Sequence, residues 1–209
     1  MIPTGLLGGS FNPAHAGHRR ISLEAIERLG LTELWWLVSP GNPLKEGRND
    51  MAPLAARLAS ARAMAKRSRI VPTAIEAELG TRYTADTLRK LQRRFPNRRF
   101  IWIMGADNLG QFHLWRDWRR IARTMPIAVV ARPGYEAMLT APAMAWLRRY
   151  VRRGSRIREW TMWSRPALVL LRFRPDPSSA TRTRALKPDW PLFLTHRVLR
   201  DHVTRRPIP

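Results

Sequence analysis

Eleven residues near the start of the chain, Gly8 to His18, read GGSFNPAHAGH and gather the groups with which a protein holds phosphate. Two glycines let a backbone approach an anion closely, Ser10 adds a hydroxyl, and two of the chain's five histidines stand three residues apart. The stretch follows the apolar run GLL and leads into ISLEAIERLG. There Ile21, Ala25, Ile26 and Leu29 recur at helical spacing and Gly30 supplies a stop. A strand, a glycine turn and a helix start together present free backbone N–H groups and a positive dipole end. His15 and His18 fall on one face of that first turn, where imidazoles donate to phosphate oxygens and stabilise charge developing on them. Taken by itself, the pair also fits an ordinary surface feature. The surrounding pattern is what points to phosphate chemistry.

The elements that must position these residues alternate along the chain. After the first strand and helix come a strand in ELWWLVSP, a helix in APLAARLASARAMAKRS and a short strand in RIVPTAI. A helix follows in YTADTLRKLQRRFP with Thr84 as N-cap, then strands in RFIWIMG, IAVVARPG and ALVLLRF. Strand and helix in turn with short connectors predict an α/β fold, a doubly wound parallel sheet covered on both faces. Ligands in such sheets sit at the carboxyl ends of strands, where strand order reverses. Three strand ends carry the right loops: GGSFNP, GADN and ARPG. Residues 136–165 read as an amphipathic helix and a basic connector. The whole of 1–209 reads as one domain with a small helical C-terminal portion from about 178.

The composition narrows the partners. Thirty-eight Lys and Arg against fifteen Asp and Glu give a formal charge of +23, which attracts phosphates of nucleotides, nucleic acids or lipids. The arginines are dispersed through nearly every segment, which suits small anionic substrates better than a dedicated nucleic-acid surface. No cysteine is present, so disulfides and thiolate metal sites are excluded and a reducing compartment fits. Neither a secretory signal nor a run of about 18 apolar residues is visible, so a cytoplasmic location without membrane insertion is expected. Whether the chain forms a homo-oligomer is not legible.

A second cluster lies far away. In SSATRTR, Ser178 to Arg184, hydroxyls at a helix start precede a guanidinium, a cradle for polyphosphate that also fits a plain capped helix. With both clusters in view, GGSFNPAHAGH resembles the GGTFDPxHxGH segment of nucleotidyltransferases carrying an H-x-G-H motif. SSATRTR is similar to their second motif, I-S-x-T-x-I-R, through Ser179, Thr181 and Arg184, with Ser178 and Thr183 replacing isoleucines. The resemblance implies a Rossmann-like nucleotidyltransferase fold and transfer of AMP or CMP from a nucleoside triphosphate to a phosphate acceptor. It implies His15 and His18 on the α-phosphate, Gly8, Gly9, Ser10 and Phe11 along the phosphates, and Arg184 and Thr181 on the leaving group.

Three stretches between the motifs resemble one branch, the bacterial nicotinate-mononucleotide adenylyltransferases. GTRYTADTL is similar to S-Y-T-x-x-T-L. MGADNLGQFHLWRDWRRI is similar to G-x-D-x-x-x-x-F-x-x-W-x-x-x-x-x-I, and ARPG to R-R-P-G. The implied substrates are ATP, carrying Mg²⁺, and nicotinate mononucleotide. Gly105, Asp107, Arg132 and Ser179 would serve the ATP side; Tyr83, Thr84 and Trp115 would serve the mononucleotide. Physically, Asp107 after a strand accepts from ribose hydroxyls, Trp115 offers a face to a pyridine ring, and N–H groups near Thr84 suit a carboxylate. Asp107 equally fits a cap on a helix beginning at Asn108, and Trp115 a core stripe with Phe112 and Trp118. Where the branch commonly has Pro-Pro-His and a basic residue, this chain has Asn42, Pro43, Leu44 and Lys45, so Lys45 alone carries over toward the triphosphate. No protein metal site is implied, and His113, His196 and His202 have ordinary readings. Two other functions compete: a sister enzyme using nicotinamide mononucleotide or phosphopantetheine, and a basic nucleic-acid-binding protein.

Overall fold

Six parallel strands form one sheet in the order β3-β2-β1-β4-β5-β6. The computed structural model describes residues 1–41, 51–131, 140–152, 154–172, 178–192 and 199–208. Strands β1 (Ile2–Gly9), β2 (Glu33–Val38) and β3 (Ile70–Thr73) make one half; β4 (Arg98–Gly105), β5 (Ile127–Ala131) and β6 (Leu168–Arg172) make the other. Helices α1 (Ala16–Leu29), α2 (Leu54–Ala65), α3 (Ile75–Leu79) and α4 (Thr84–Arg94) belong to the first half. Helices α5 (Ala106–Gln111), α6 (Trp118–Thr124), α7 (Pro142–Leu147) and α8 (Ala180–Leu186) follow. Strand order reverses between β1 and β4, which pair directly with Leu6 opposite Trp102. Their carboxyl ends, Gly9 and Gly105, flank the crevice that such a reversal opens.

The strands alternate, sending successive side chains to opposite faces. On one face Leu6, Trp35, Phe100, Trp102 and Met104 pack with Leu88 and Leu91 of α4 and Leu109 of α5. On the other, Leu7, Trp36, Val38, Ile101 and Ile103 pack with Ile26 and Leu29 of α1, Leu58 of α2 and Trp160. Helix α1 ends on Gly30 in the left-handed region (φ 62), with its N–H bonded back to Glu27, as the glycine stop predicts.

Local readings move in three places. Tyr83, extended at φ −113, is the N-cap of α4, and Thr84 is its first helical residue. Helix α5 begins at Ala106 rather than Asn108, because the backbone turns directly out of β4 at Gly105. Between 136 and 165 no single amphipathic helix forms among the described residues. Pro142 starts the short α7, and 3-10 turns over Arg148–Tyr150 and Gly154–Met162 follow. Beyond 178 the described residues carry the helix α8, and residues 199–208 form a turn closed by a bridge between Arg200 and Pro207. The Asp201 carboxylate, which accepts from the Val203 and Thr204 N–H groups, sets the path of that turn.

That turn is pinned by one buried carboxylate. Asp201 Oδ1 accepts from the Thr73 hydroxyl (2.9 Å) and the N–H groups of Val203 (2.9 Å) and Thr204 (3.0 Å), while Oδ2 accepts from Ala74 N–H (2.6 Å). Removing it strands four donors, two of them at the end of β3. Asp201→Ala is expected to lower unfolding free energy by about 2–4 kcal/mol and to expose residues 199–208 to protease. Urea denaturation and limited proteolysis check this, and an unchanged midpoint would overturn it.

Candidate active site

The loop after β1 is built against its neighbours rather than hanging free. Gly8 has no room for a side chain, since a Cβ there would lie 2.6 Å from Cη2 of Trp102. Gly9 is tight against the Phe11 ring in the same way, at 3.2 Å. Phe11 is buried, sits at φ 48 and stacks on Trp36 with ring centroids 4.8 Å apart. A left-handed non-glycine residue is uncommon and persists only where its surroundings hold it.

His15 is the N-cap of α1, extended at φ −140, and His18 lies one turn in with its ring 3.7 Å from that of His15. The backbone N–H of His15 donates to Nδ1 of His18 at 3.2 Å. A ring nitrogen that accepts carries no proton, so Nε2 of His18 is the N–H donor. Phe11 packs against the His18 ring at 4.8 Å. The His18 carbonyl accepts from Ser22 (2.8 Å), whose hydroxyl accepts from Trp36 Nε1 (2.7 Å). Trp36 thus steadies His18 twice, through Phe11 and through Ser22. No acidic residue occupies the first turn of α1, so its positive end is undiminished.

The second cluster meets the first. Arg184 of α8 donates to the carbonyl of Asn12 at 2.6 Å across 172 residues of sequence. Gly17 makes the approach possible, because a Cβ there would stand 3.0 Å from the His15 ring and 3.3 Å from the Ser178 carbonyl. Ser179 caps α8 and its hydroxyl oxygen accepts from Arg182 N–H (3.2 Å), while Thr181 is exposed in the first turn.

The remaining residues lie along the same edge of the sheet. Gly105 ends β4, and the exposed Asp107 folds back against it from the first turn of α5. Trp115 is half-buried and edges against Trp102 (6.3 Å) and Phe112 (5.5 Å). Since Trp102 also borders Gly8, the Trp115 ring and the loop after β1 share one neighbour. Beside Trp115, the Arg116 guanidinium stands 4.6 Å over the ring of Tyr83, joining the two stretches assigned to the acceptor. No side chain caps α4, so its first N–H groups face outward unclaimed by a cap. Lys45 and Arg132 lie outside the described residues.

Behind Tyr83, the Thr87 hydroxyl is 3.0 Å from Glu76 Oε1 and 2.8 Å from the Thr81 hydroxyl. Burial raises the Glu76 carboxyl from an ordinary 4.5 to about 7, with Thr87 opposing the rise. Sequence reasoning missed Glu76, and also missed Asn12, Arg57 and Ser60 beneath the loop. Asn12 Oδ1 accepts from Ala52 N–H (3.1 Å), Ser60 Oγ accepts from Ala14 N–H (3.1 Å), and Arg57 donates to the Ser10 carbonyl (2.9 Å). Asn12 stood inside the quoted motif, whereas Arg57 was one arginine among many.

A parallel sheet with its strand reversal beside paired histidines at a helix N-terminus defines a nucleotidyltransferase architecture. A family model described as cytidylyltransferase-like matches residues 6–185. A protein of Erythrobacter litoralis named probable nicotinate-nucleotide adenylyltransferase is 59% identical over 208 residues, covering 99% of this chain and 94% of that one. A Cereibacter sphaeroides protein of the same name is 56% identical over 146 residues, 70% of this chain and 75% of its own. The chain belongs to the cytidylyltransferase-like family and, within it, to the relatives named nicotinate-nucleotide adenylyltransferases. In fold, it is similar to the Plasmodium falciparum nicotinic acid mononucleotide adenylyltransferase complexed with NaAD. The TM-score is 0.64 at 16% identity, over 88% of this chain and 83% of that one.

Two outcomes follow from this geometry. His18→Ala removes the Nε2 donor at the cost of one ring contact to Phe11 and should lower turnover by about 10²–10³-fold with an unchanged circular dichroism spectrum; near-normal turnover would overturn the site. Glu76 is held protonated in the fold above the pH at which the unfolded chain loses the proton. Its burial therefore penalises stability as pH rises from about 4.5 to 7 and by a constant amount above. Glu76→Gln should raise the thermal midpoint at pH 8 by roughly 4–8 °C, corresponding to about 2 kcal/mol, with no gain at pH 4. Equal shifts at both pH values would contradict this assignment.

Proposed function

We propose that this protein transfers AMP from ATP to nicotinate mononucleotide, forming nicotinate adenine dinucleotide and pyrophosphate. The observation that carries the reading is the meeting of His15, His18 and Arg184 around the Ser10–Asn12 loop at the carboxyl end of β1. The relatives' names supply the acceptor, and the solved neighbour complexed with NaAD shares the fold.

A phosphate oxygen of the mononucleotide attacks the α-phosphorus of ATP in line. The new P–O bond forms as the bond to the bridging oxygen of the β-phosphate breaks, and pyrophosphate leaves with that electron pair. The acceptor oxygen is already anionic, so no side chain needs to remove a proton. Catalysis is then positioning and charge stabilisation. His18, through Nε2–H, and His15 hold the α-phosphate oxygens as charge shifts toward the leaving group. Gly8, Gly9, Ser10 and Phe11 supply the loop along the phosphates. Arg184, with Thr181 and Ser179, faces the β- and γ-phosphates, and Lys45 and Arg132 add cations on the strength of the resemblance. Gly105 and Asp107 take the ATP side of the β4 end. Tyr83, Thr84 and Trp115 take the pyridine mononucleotide, with the uncapped start of α4 turned to its carboxylate.

Mg²⁺ belongs to ATP as substrate; the described residues gather no three His, Asp or Glu side chains. No helix among the described residues is long and apolar enough to cross a membrane, and we place the enzyme in the cytoplasm, where its cysteine-free composition is at home. A purely nucleic-acid-binding role gives no reason for both clusters to converge on one loop.

Pyrophosphate release measured with nicotinate and nicotinamide mononucleotides at equal ATP tests the reading. The expected result is a kcat/KM at least about tenfold higher for the nicotinate substrate. Equal values would reassign the acceptor, and no release with either would overturn AMP transfer to pyridine mononucleotides.

A further inference from the structure

Arg57 is almost wholly buried, with 1% of its surface exposed, in a part of α2 to which the reaction assigns nothing. Among the described residues its guanidinium bonds to backbone only. Nε donates to the Ala52 carbonyl (2.8 Å), one terminal nitrogen to the carbonyls of Ser10 (2.9 Å) and Ser39 (2.6 Å), and the other toward that of Pro40 (3.4 Å). Three chain segments converge on one planar fork: the loop after β1, the end of β2, and the approach to α2. Among the described residues no carboxylate pairs with it, and burial lowers it to about 10, so it stays cationic at neutral pH.

Two consequences follow from that arrangement. In a trans peptide the C=O and the next N–H point opposite ways. Drawing the Ser10 and Pro40 carbonyls inward therefore turns the N–H groups of Phe11 and Gly41 outward, away from Arg57. The same grip holds one side of Phe11 in its left-handed conformation, while Trp36 holds the ring. A buried cation is also expensive unless an anion reaches it, and the described residues set only carbonyls against this one.

We propose that Arg57 is a positioning residue for the triphosphate: it orients the Phe11 and Gly41 N–H groups toward ATP and holds a fixed positive charge behind them. The inference rests on the reading of the Ser10–Asn12 loop as the phosphate loop. It predicts a selective effect, because Tyr83, Thr84 and Trp115 lie on other elements and do not touch Arg57.

The test compares full-length wild type, Arg57→Gln and Arg57→Lys. KM and kcat are read for each substrate, and the ATP-induced thermal shift is read independently of turnover. In Arg57→Gln the KM for ATP should rise about tenfold or more and kcat fall, with the KM for nicotinate mononucleotide within about twofold and the ATP-induced shift abolished. Arg57→Lys should resemble Arg57→Gln, because one ammonium cannot hold carbonyls from three segments. Unchanged ATP kinetics in a folded variant, or equal KM increases for both substrates, would overturn the proposal. If neither variant folds, Ser60→Ala decides: it removes the hydroxyl by which α2 holds Ala14, and should raise the KM for ATP alone, any other pattern counting against the inference. If wild type releases no pyrophosphate but ATP still stabilises it and not Arg57→Gln, the proposed reaction fails and this inference stands. If wild type turns over and Arg57→Gln binds ATP as well, only this inference fails.

Discussion

Two guanidinium groups grip three consecutive residues, Arg57 on the carbonyl of Ser10 and Arg184 on that of Asn12. Between them Phe11 sits in a conformation that an isolated chain would abandon. The aromatic stack of Trp36 on Phe11 and Phe11 on His18 passes that constraint to the imidazole. A rigid loop is what a transfer at phosphorus requires, because little covalent chemistry is left for the protein to perform. The sheet, its two packed faces and the helices around it serve to bring these grips to one place.

The fold was legible because its signals are local and repeated. Buried strands such as RFIWIMG, bounded by turns and alternating with helical periodicity, lead to a parallel sheet without further help. The first cluster stood out because a glycine turn and two histidines sit between a strand and a helix. The second, which alone fits a capped helix, stood out through its resemblance to a nucleotidyltransferase motif. What could not be read was the scaffolding beneath. Arg57 is one of 38 basic residues, and nothing in PLAARLASA distinguishes a guanidinium that will be swallowed by three backbone segments. Asp201 has the same anonymity within a basic tail. Boundary errors at Tyr83 and Ala106 have a simpler origin. Extended backbone at the cap was available to Tyr83 as well as to Thr84, and the direct exit of β4 into α5 at Gly105 left no loop for Asp107 to cap.

The charge distribution bears on the same point. Glu33 and Arg98 pair where β2 and β4 begin, at the opposite end of the strands from the site. Glu78 engages Arg94 (2.7 Å) and Arg206 (3.7 Å) beside the Asp201 turn. The carboxyl ends of β1 and β2, by contrast, carry Arg57, whose bonds among the described residues all go to carbonyls. A large net charge spread over a surface steers anions weakly and is screened by salt. A cation sealed beneath the loop after β1 is screened far less than the exposed ones.

The Arg184–Asn12 contact joins residues 172 apart, and this separation reaches into the birth of the molecule. The histidine pair is made well before Arg184, whose guanidinium grips the Asn12 carbonyl beside it. At about 5–20 residues per second, roughly ten to thirty seconds pass between them. Throughout that interval a growing chain owns the imidazoles but not the guanidinium that fixes the loop beside them. A ribosome-bound product therefore carries the histidines on a loop held from one side only. Synthesis of α8 is the step that closes the second grip.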